Sequence, residues 1–319
     1  MRRGAWLILA AACTVALLAM AFLLFRSMEP THDPARILFL VRLPEALTAF
    51  FVGGALGLSG LLFQTVLRNP LAEPYVLGVA GGAALGAVLM TILLGVGFTL
   101  GGGLPLRAGA SFLLGATVLL ALLRATRGNP RSLLLGGVVA NTVFASLARA
   151  LTAWLSPSQL AYVTTFLIGF IPTMPLWSVC LVAIPGVAGL VRYTASSDSL
   201  DLLLLSHDEA ASLGLRVVPF RREVLLAATV LSAASVALAG MMGFVGLVAP
   251  HVSRLLTGPG HRALVPLSFL TGGIFLMAAH GLTQSLSRLF LIPAGVATTL
   301  IGAPFFLWLL LRPGRGGAA

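Results

Sequence analysis

The chain has 319 residues, of which 58% are hydrophobic and only 9% charged, against roughly 25% charged in a typical globular protein. So few charges cannot cover a water-soluble surface, which excludes a disordered chain, a secreted disulfide scaffold and a cytosolic enzyme. The net charge of +11 comes from 20 arginines with no lysine, scattered singly or in pairs between apolar runs, so there is no basic face on which a nucleic-acid backbone could lie.

Runs of about 20 apolar residues, the length that crosses a hydrocarbon core, place ten candidate spans in chain order. They fall at 5–25, 46–67, 75–95, 107–124, 132–151, 175–192, 224–242, 244–256, 264–285 and 293–311. The first follows Arg2 and Arg3 and is longer than the apolar core of a signal peptide, so it reads as an uncleaved span. The apolar stretch 160–172, clipped by Pro172 and Pro175, reads as a re-entrant or interfacial helix. Cys13 and Cys180 sit far apart in apolar stretches and read as small buried hydrophobes. With ten crossings and a cytoplasmic N-terminus, fourteen arginines fall inside and six outside, which puts both termini in the cytoplasm. A shift of 180 residues aligns Leu58, Gly60, Leu67 and Pro70 with Leu238, Gly240, Leu247 and Pro250, as an inverted repeat would.

The nine acids leave 74–197 and 224 onward without a carboxylate. A proton- or sodium-coupled carrier usually keeps such a group inside the bilayer, so an ion-coupled secondary transporter is the weaker alternative. With no lysine, the chain also has no phosphate-binding loop of its own, and energy comes from another polypeptide or from a gradient. Five of the acids crowd into the polar interruption 194–223. There Ser206 precedes Glu209 by three residues, the spacing of a capping box. Asp208 and Glu209 follow in the first turn, and Gly214 offers a stop. This spacing predicts a cytoplasmic helix over 207–213. It is either a solvated connector or a docking element whose Ala210, Ala211 and Leu213 enter a partner's groove. His32, His207, His251, His261 and His280 show no metal-ligand spacing, and His251 and His280 read as hydrogen-bonded interior residues. No arrangement of nucleophile, base and acid suggests catalysis.

Three blocks carry a resemblance. RLPEALTAFFVGGALGLSGLLFQTVLRNPLAEPYVLGVAGGAALGA (42–87), GFVGLVAPHVSRLLTGPGHRALVPLS (243–268) and IPAGVATTLIGAPFFLWLLLR (292–312) resemble the permease subunits of ABC importers for iron-siderophores, haem and vitamin B12. The resemblance implies an all-α polytopic membrane protein of the type II ABC importer permease fold, a single domain over 1–319 with about ten transmembrane helices. It implies pairing with a second copy as a homodimer in the inner membrane, two cytoplasmic ATPase subunits that use the ATP, an extracytoplasmic binding protein, and no cofactor on this chain. The helix near 206–214 matches the family's coupling helix, comprising Ser206, His207, Asp208, Glu209, Ala210, Ala211, Leu213 and Gly214.

In that family, outer-face arginines pair with acids on the binding protein, and Arg42 and Arg288 stand at such positions. Glu45 stands where the family often has arginine, a like charge for an acidic lobe, and Ala279-His280 replaces a later family acid. Gln64, Arg68 and Asn69 match signature positions near the inner end of the second span, with Gly60, Pro70, Gly240, Pro250 and His251 as further signature or pathway positions. Gly53, Gly54, Gly57 and Gly60 allow close helix approach, while Asn69-Pro70 and Ala249-Pro250 are expected to interrupt helices. A membrane scaffold without transport activity is the third reading. Related permeases carry chemically different chelates, and selectivity lies largely in the binding protein, so siderophore, haem, cobalamin and molybdate stay open.

Overall fold

The computed structural model of the protein describes residues 2–25, 34–73, 78–94, 130–286 and 292–311, with isolated helical positions at 113, 114, 117 and 121. All regular structure among the described residues is helical. After α1 (Arg2–Phe25), α2 (Pro34–Ile37) passes through a π-helical turn at Leu38–Arg42 into α3 (Leu43–Leu67), followed by α4 (Val79–Leu94). Next come α5 (Pro130–Thr152), α6 (Pro157–Ile168), and α7 (Cys180–Ala195) with a 3-10 turn at Leu176–Val179 leading into it. Two short helices, α8 (Ser197–Leu202) and α9 (His207–Ser212), precede α10 (Val217–Ala239), α11 (Val245–Thr257), α12 (His261–Leu286) and α13 (Ala294–Leu311). Helices occupy every expected span except 107–124, which lies outside the described residues but for those isolated positions. Among the described residues, five helical stretches are long and apolar enough to cross a membrane. The α10 helix starts at Val217, earlier than its apolar run, because Arg221, Arg222 and Glu223 continue it beyond that run.

The centre of the molecule is α3, almost wholly buried and packed against α12, α10, α11 and α7. It runs antiparallel to α12 along a glycine seam. A Cβ on Gly53 would lie 2.3 Å from the Gly272 carbonyl oxygen, and a Cβ on Gly272 2.3 Å from that of Gly53. Only hydrogen fits on both sides, so the two backbones touch. Polar pairs close this seam at its ends: Thr65 meets His261 at one, and Glu45 meets His280 at the other. Thr65 and Glu45 are about 20 residues apart, or about 30 Å of helix, which matches the hydrocarbon thickness of a bilayer. From α3, the Ser59 hydroxyl also donates to the Ala228 carbonyl of α10 at 2.6 Å.

Where helices stop short, their ends satisfy one another. Phe170 N donates to Ala239 O at 3.0 Å, Met241 N to Phe166 O at 3.4 Å, and Gly295 N to Gly169 O at 2.9 Å. The ends of α6 and α10 and the start of α13 thus meet at one point, and α6 stops at Ile168, ahead of Pro172. Irregular backbone is tolerated at membrane depth only where it is buried in protein. A smaller core, Leu85, Val88, Ala148 and Val163, joins α4, α5 and α6.

Four expectations are corrected. The aligned repeat positions occupy unlike structure: Gly60 lies inside α3 while Gly240 ends α10 at φ +70°. Likewise Leu67 closes α3, whereas Leu247 lies in the first turn of α11. Second, Pro250 does not interrupt its helix, because α11 continues through it to Thr257. Third, Cys13 and Cys180 are exposed. In a bilayer protein an apolar neighbourhood in sequence is as readily an outward face as a core, and Leu17 (71% exposed) and Ile184 (68%) show the same. Fourth, carboxylates do lie inside the protein. Glu45 of α3 has a 12% exposed side chain, and Glu73 reaches in to accept the Phe244 amide at 2.7 Å.

That last contact seats the start of α11. Phe244 is its N-cap at φ +66° with no capping bond from its own side chain, so the Glu73 carboxyl supplies the acceptor. Burial pushes this carboxyl up to about 7, and the Phe244 amide opposes the shift. A carboxyl raised above its unfolded value of 4.5 favours folding when protonated, and that contribution is lost as pH rises through about 7. We expect the Tm of the purified protein in detergent to fall between about pH 5 and 8. Glu73→Gln keeps an acceptor for Phe244 and should flatten that slope; equal slopes in the two proteins would refute the assignment. At Gly60, a Cβ would lie 2.0 Å from the Gly246 carbonyl oxygen. Gly60→Ala should therefore cost about 1–3 kcal/mol or more, seen as a lowered Tm, and an unchanged Tm would contradict this packing.

Candidate functional site

The polar interruption between α7 and α10 builds the first part of the site. Ser206 caps α9 in both directions: Glu209 N donates to its hydroxyl at 3.3 Å, and Ser206 N donates to Glu209 Oε2 at 3.0 Å. The expected capping box is present, and α9 ends at Ser212 with Gly214 beyond it at φ +88°. Hydrogen bonds from the Ser206 hydroxyl and amide hold the Glu209 carboxyl below its ordinary value, with Arg68 adding attraction. Ser206, His207, Asp208, Glu209, Ala211, Leu213 and Gly214 are exposed.

Ala210 departs from expectation. It is 1% exposed and belongs to the core that includes Leu203, Val217 and Phe220. On so short a helix one residue must face the protein to hold the rest outward, and Ala210 is that residue. Sequence reasoning missed Leu204 and Leu205, which are exposed beside α9 together with Leu213. An apolar dipeptide just ahead of a capping serine was the available signal.

Arg68 fixes this segment from behind. It closes α3 in the left-handed region at φ +47°. Its Nε and Nη2 donate to the Leu203 carbonyl at 3.2 and 3.0 Å, and Nη2 also bonds the Leu205 carbonyl. Asn69 then makes the turn: its side-chain oxygen accepts from Leu71 N at 2.9 Å across Pro70. Asn69 and Pro70 thus shape the chain after α3 has ended.

Three signature positions meet at one carbonyl. Pro250 has no amide to give Gly246, four residues earlier in α11. Gln64 of α3 supplies the missing donor, with Nε2 3.1 Å from Gly246 O. Gly60, one turn earlier on α3, makes room for the contact. His251 takes no part: its ring packs edge-on to Phe305 of α13 at 6.1 Å, and its buried Nε2 has no hydrogen-bond partner among the described residues.

At the opposite end of α3, Arg42 is half-buried as the last residue of the π-helical turn, and Arg288 lies outside the described residues. Glu45 is not the surface anion expected from its position. Its carboxylate accepts from Gln284 Nε2 at 2.8 Å and from the Thr173 hydroxyl, and lies 3.7 Å from His280 Nε2. His280 itself is hydrogen-bonded, to Gln284 at 2.9 Å, as expected. Gly240 ends α10 where its Cβ would meet the Phe166 carbonyl at 2.0 Å. Among the described residues, no three histidine, cysteine or acidic side chains converge as metal ligands.

Comparison with known proteins bears on this geometry. The model of the FecCD transport family matches residues 5–312. The Fe(3+) dicitrate transport system permease protein FecD of Escherichia coli (strain K12) is 38% identical over 287 residues, covering 88% of this chain and 87% of that protein. The hemin transport system permease protein HmuU of Yersinia pestis is 36% identical over 285 residues, covering 85% and 82%. An inward-facing structure described as a metal-chelate type ABC transporter superposes with a TM-score of 0.86 at 30% identity, covering 97% of this chain and 99% of that one.

Proposed function

The chain belongs to the FecCD transport family, and from that premise we propose how its residues divide the work of import. It is a multi-pass permease of a binding-protein-dependent ABC importer for iron chelates, haem or cobalamin, a transport protein and not a catalyst. Importers of this kind draw their energy from ATPase partners that hydrolyse ATP and receive cargo from a binding protein.

In our reading, residues 1–319 form one permease domain that pairs with a second copy in the inner membrane, both termini facing the cytoplasm. The outward apolar faces of α5 and α13, with Val139 63% and Leu300 66% exposed, support such pairing. The cargo is a metal chelate of the size of ferric dicitrate, haem or cobalamin. The α9 helix, with Ser206, His207, Asp208, Glu209, Ala211, Leu213 and Gly214, docks on the ATPase, while Ala210 anchors it to this chain. Arg42 and Arg288 face the binding protein at the outer side. The observation that carries this reading is a doubly capped helix offering Leu213, 62% exposed, beside Leu204 and Leu205. An exposed apolar patch rimmed by acids and serine is the anatomy of a docking surface.

Reconstitution in vesicles tests the whole. Uptake should require ATP, the ATPase and the binding protein; accumulation by this chain alone, driven by a proton or sodium gradient, would overturn the reading. Ser206→Ala should cost about 0.5–2 kcal/mol of local helix stability, and Glu209→Ala should open the same box. Both should lower ATP-driven uptake more than membrane insertion, and uptake at the wild-type level would remove α9 from the mechanism. Because the Glu209 carboxyl lies below its ordinary value when folded, its contribution is present above the unfolded value of 4.5 and lost as pH falls through the folded one. Arg42→Glu should weaken binding-protein association at low ionic strength and less at high; unchanged affinity at low salt would eliminate Arg42 as a docking contact.

A further inference from the structure

Behind α9 lies a relay of three side chains that docking itself does not use. Asp201 of α8, five residues before the α9 cap, has Oδ1 2.5 Å from His261 Nδ1 and 3.3 Å from the His261 backbone amide. On the other side of the ring, His261 Nε2 lies 2.8 Å from Thr65 Oγ1 in the last turn of α3. The imidazole is 3% exposed and Thr65 2%, so the relay runs inward from the half-exposed Asp201 side chain.

Counting donors sets its direction. Thr65 has one hydroxyl proton, and its Oγ1 lies 2.9 Å from the Leu61 carbonyl, which can only accept. That proton is therefore committed, and His261 Nε2 must donate to Thr65. Asp201 and Nδ1 at 2.5 Å then need a further proton between them, carried by the imidazole or by the carboxyl. The relay is thus a closed chain of hydrogen bonds from α8 through the first residue of α12 to α3. A second tether runs parallel to it, since Arg68 clasps the Leu203 and Leu205 carbonyls between α8 and α9. Both tethers end on the last turn of α3, whose seam with α12 reaches the Glu45 and His280 pair at the far end.

The geometry points to Asp201, His261 and Thr65 as positioning residues that lock α9 to the α3 and α12 pair, so that binding-protein contact at the outer end and ATPase movement at the inner end act on one rigid body. This rests on the docking of α9 proposed above. A joint made of hydrogen bonds with fixed directions transmits a displacement that a merely apolar contact would absorb by sliding.

The test uses the reconstituted complex of permease, ATPase and binding protein, and reads binding-protein stimulation of ATP hydrolysis beside ATPase affinity. Thr65→Val keeps the side-chain volume and removes the hydroxyl. It should lower stimulation by about fivefold or more, the low end of a coupling between distant sites, with ATPase affinity unchanged. Thr65→Ser should restore stimulation, and Asp201→Ala, on a half-exposed side chain, should reproduce the loss without a core change. Wild-type stimulation in Thr65→Val or in Asp201→Ala, or an equal loss in Thr65→Ser, would overturn the relay. Leu213→Asp separates the two proposals. If it weakens ATPase affinity while Thr65→Val behaves as wild type, the relay alone fails; if ATPase affinity is unmoved by Leu213→Asp, the docking of α9 is what fails.

Discussion

The seam between α3 and α12 is the contact on which the rest depends. Lipid offers no hydrophobic force to press two helices together, so their cohesion comes from close packing and a few polar bonds. Gly53 and Gly272 bring the backbones to van der Waals distance, and polar pairs at the two ends stop the helices from sliding along their shared axis. With that register set, α3 presents Ser59 to α10 and Gln64 to α11, and the inner half of the molecule takes its positions from one rod.

A second constraint is that backbone groups without helical partners must find others inside the protein. At Gly246, the bond that Pro250 cannot make is replaced by Gln64 of another helix. At Phe166, Gly169 and Ala239, carbonyls from interrupted helices accept amides from one another. In both places a hydrogen bond that one helix cannot make for itself is made with its neighbour. Fold irregularity and tertiary specificity are therefore the same feature, and the glycines at 60, 169 and 240 are there because backbone meets backbone.

How much was readable in advance follows from the range of each interaction. Spans and the capping box at Ser206 and Glu209 depend on residues a few positions apart, and both were visible in the chain. The burial of Ala210 was not, because on a six-residue helix every face has nearly the same composition and only the position of α10 decides which turns inward. The engagement of Glu45 by His280 and Gln284, and of His261 by Asp201 and Thr65, joins residues that no periodicity connects. Gly60 and Pro250 stood out as residue types, but that they serve the same carbonyl as Gln64 needed the fold. The exposed cysteines show the opposite limit, since hydropathy marks a residue as leaving water without saying whether it goes to protein or to lipid.

The Glu45 and His280 pair bears on how this permease could be recombined with its kin. Glu45 of α3 and His280 of α12 lie 3.7 Å apart, so each helix carries half of what fastens it to the other. A chimera that takes only α3 from a relative without a carboxylate at position 45 would leave His280, Gln284 and Thr173 without the anion on which they converge. Exchanging both helices together would carry lock and key as one piece, so the smallest interchangeable part of this importer is a pair of helices, Leu43–Leu67 and His261–Leu286, that lie far apart in the chain.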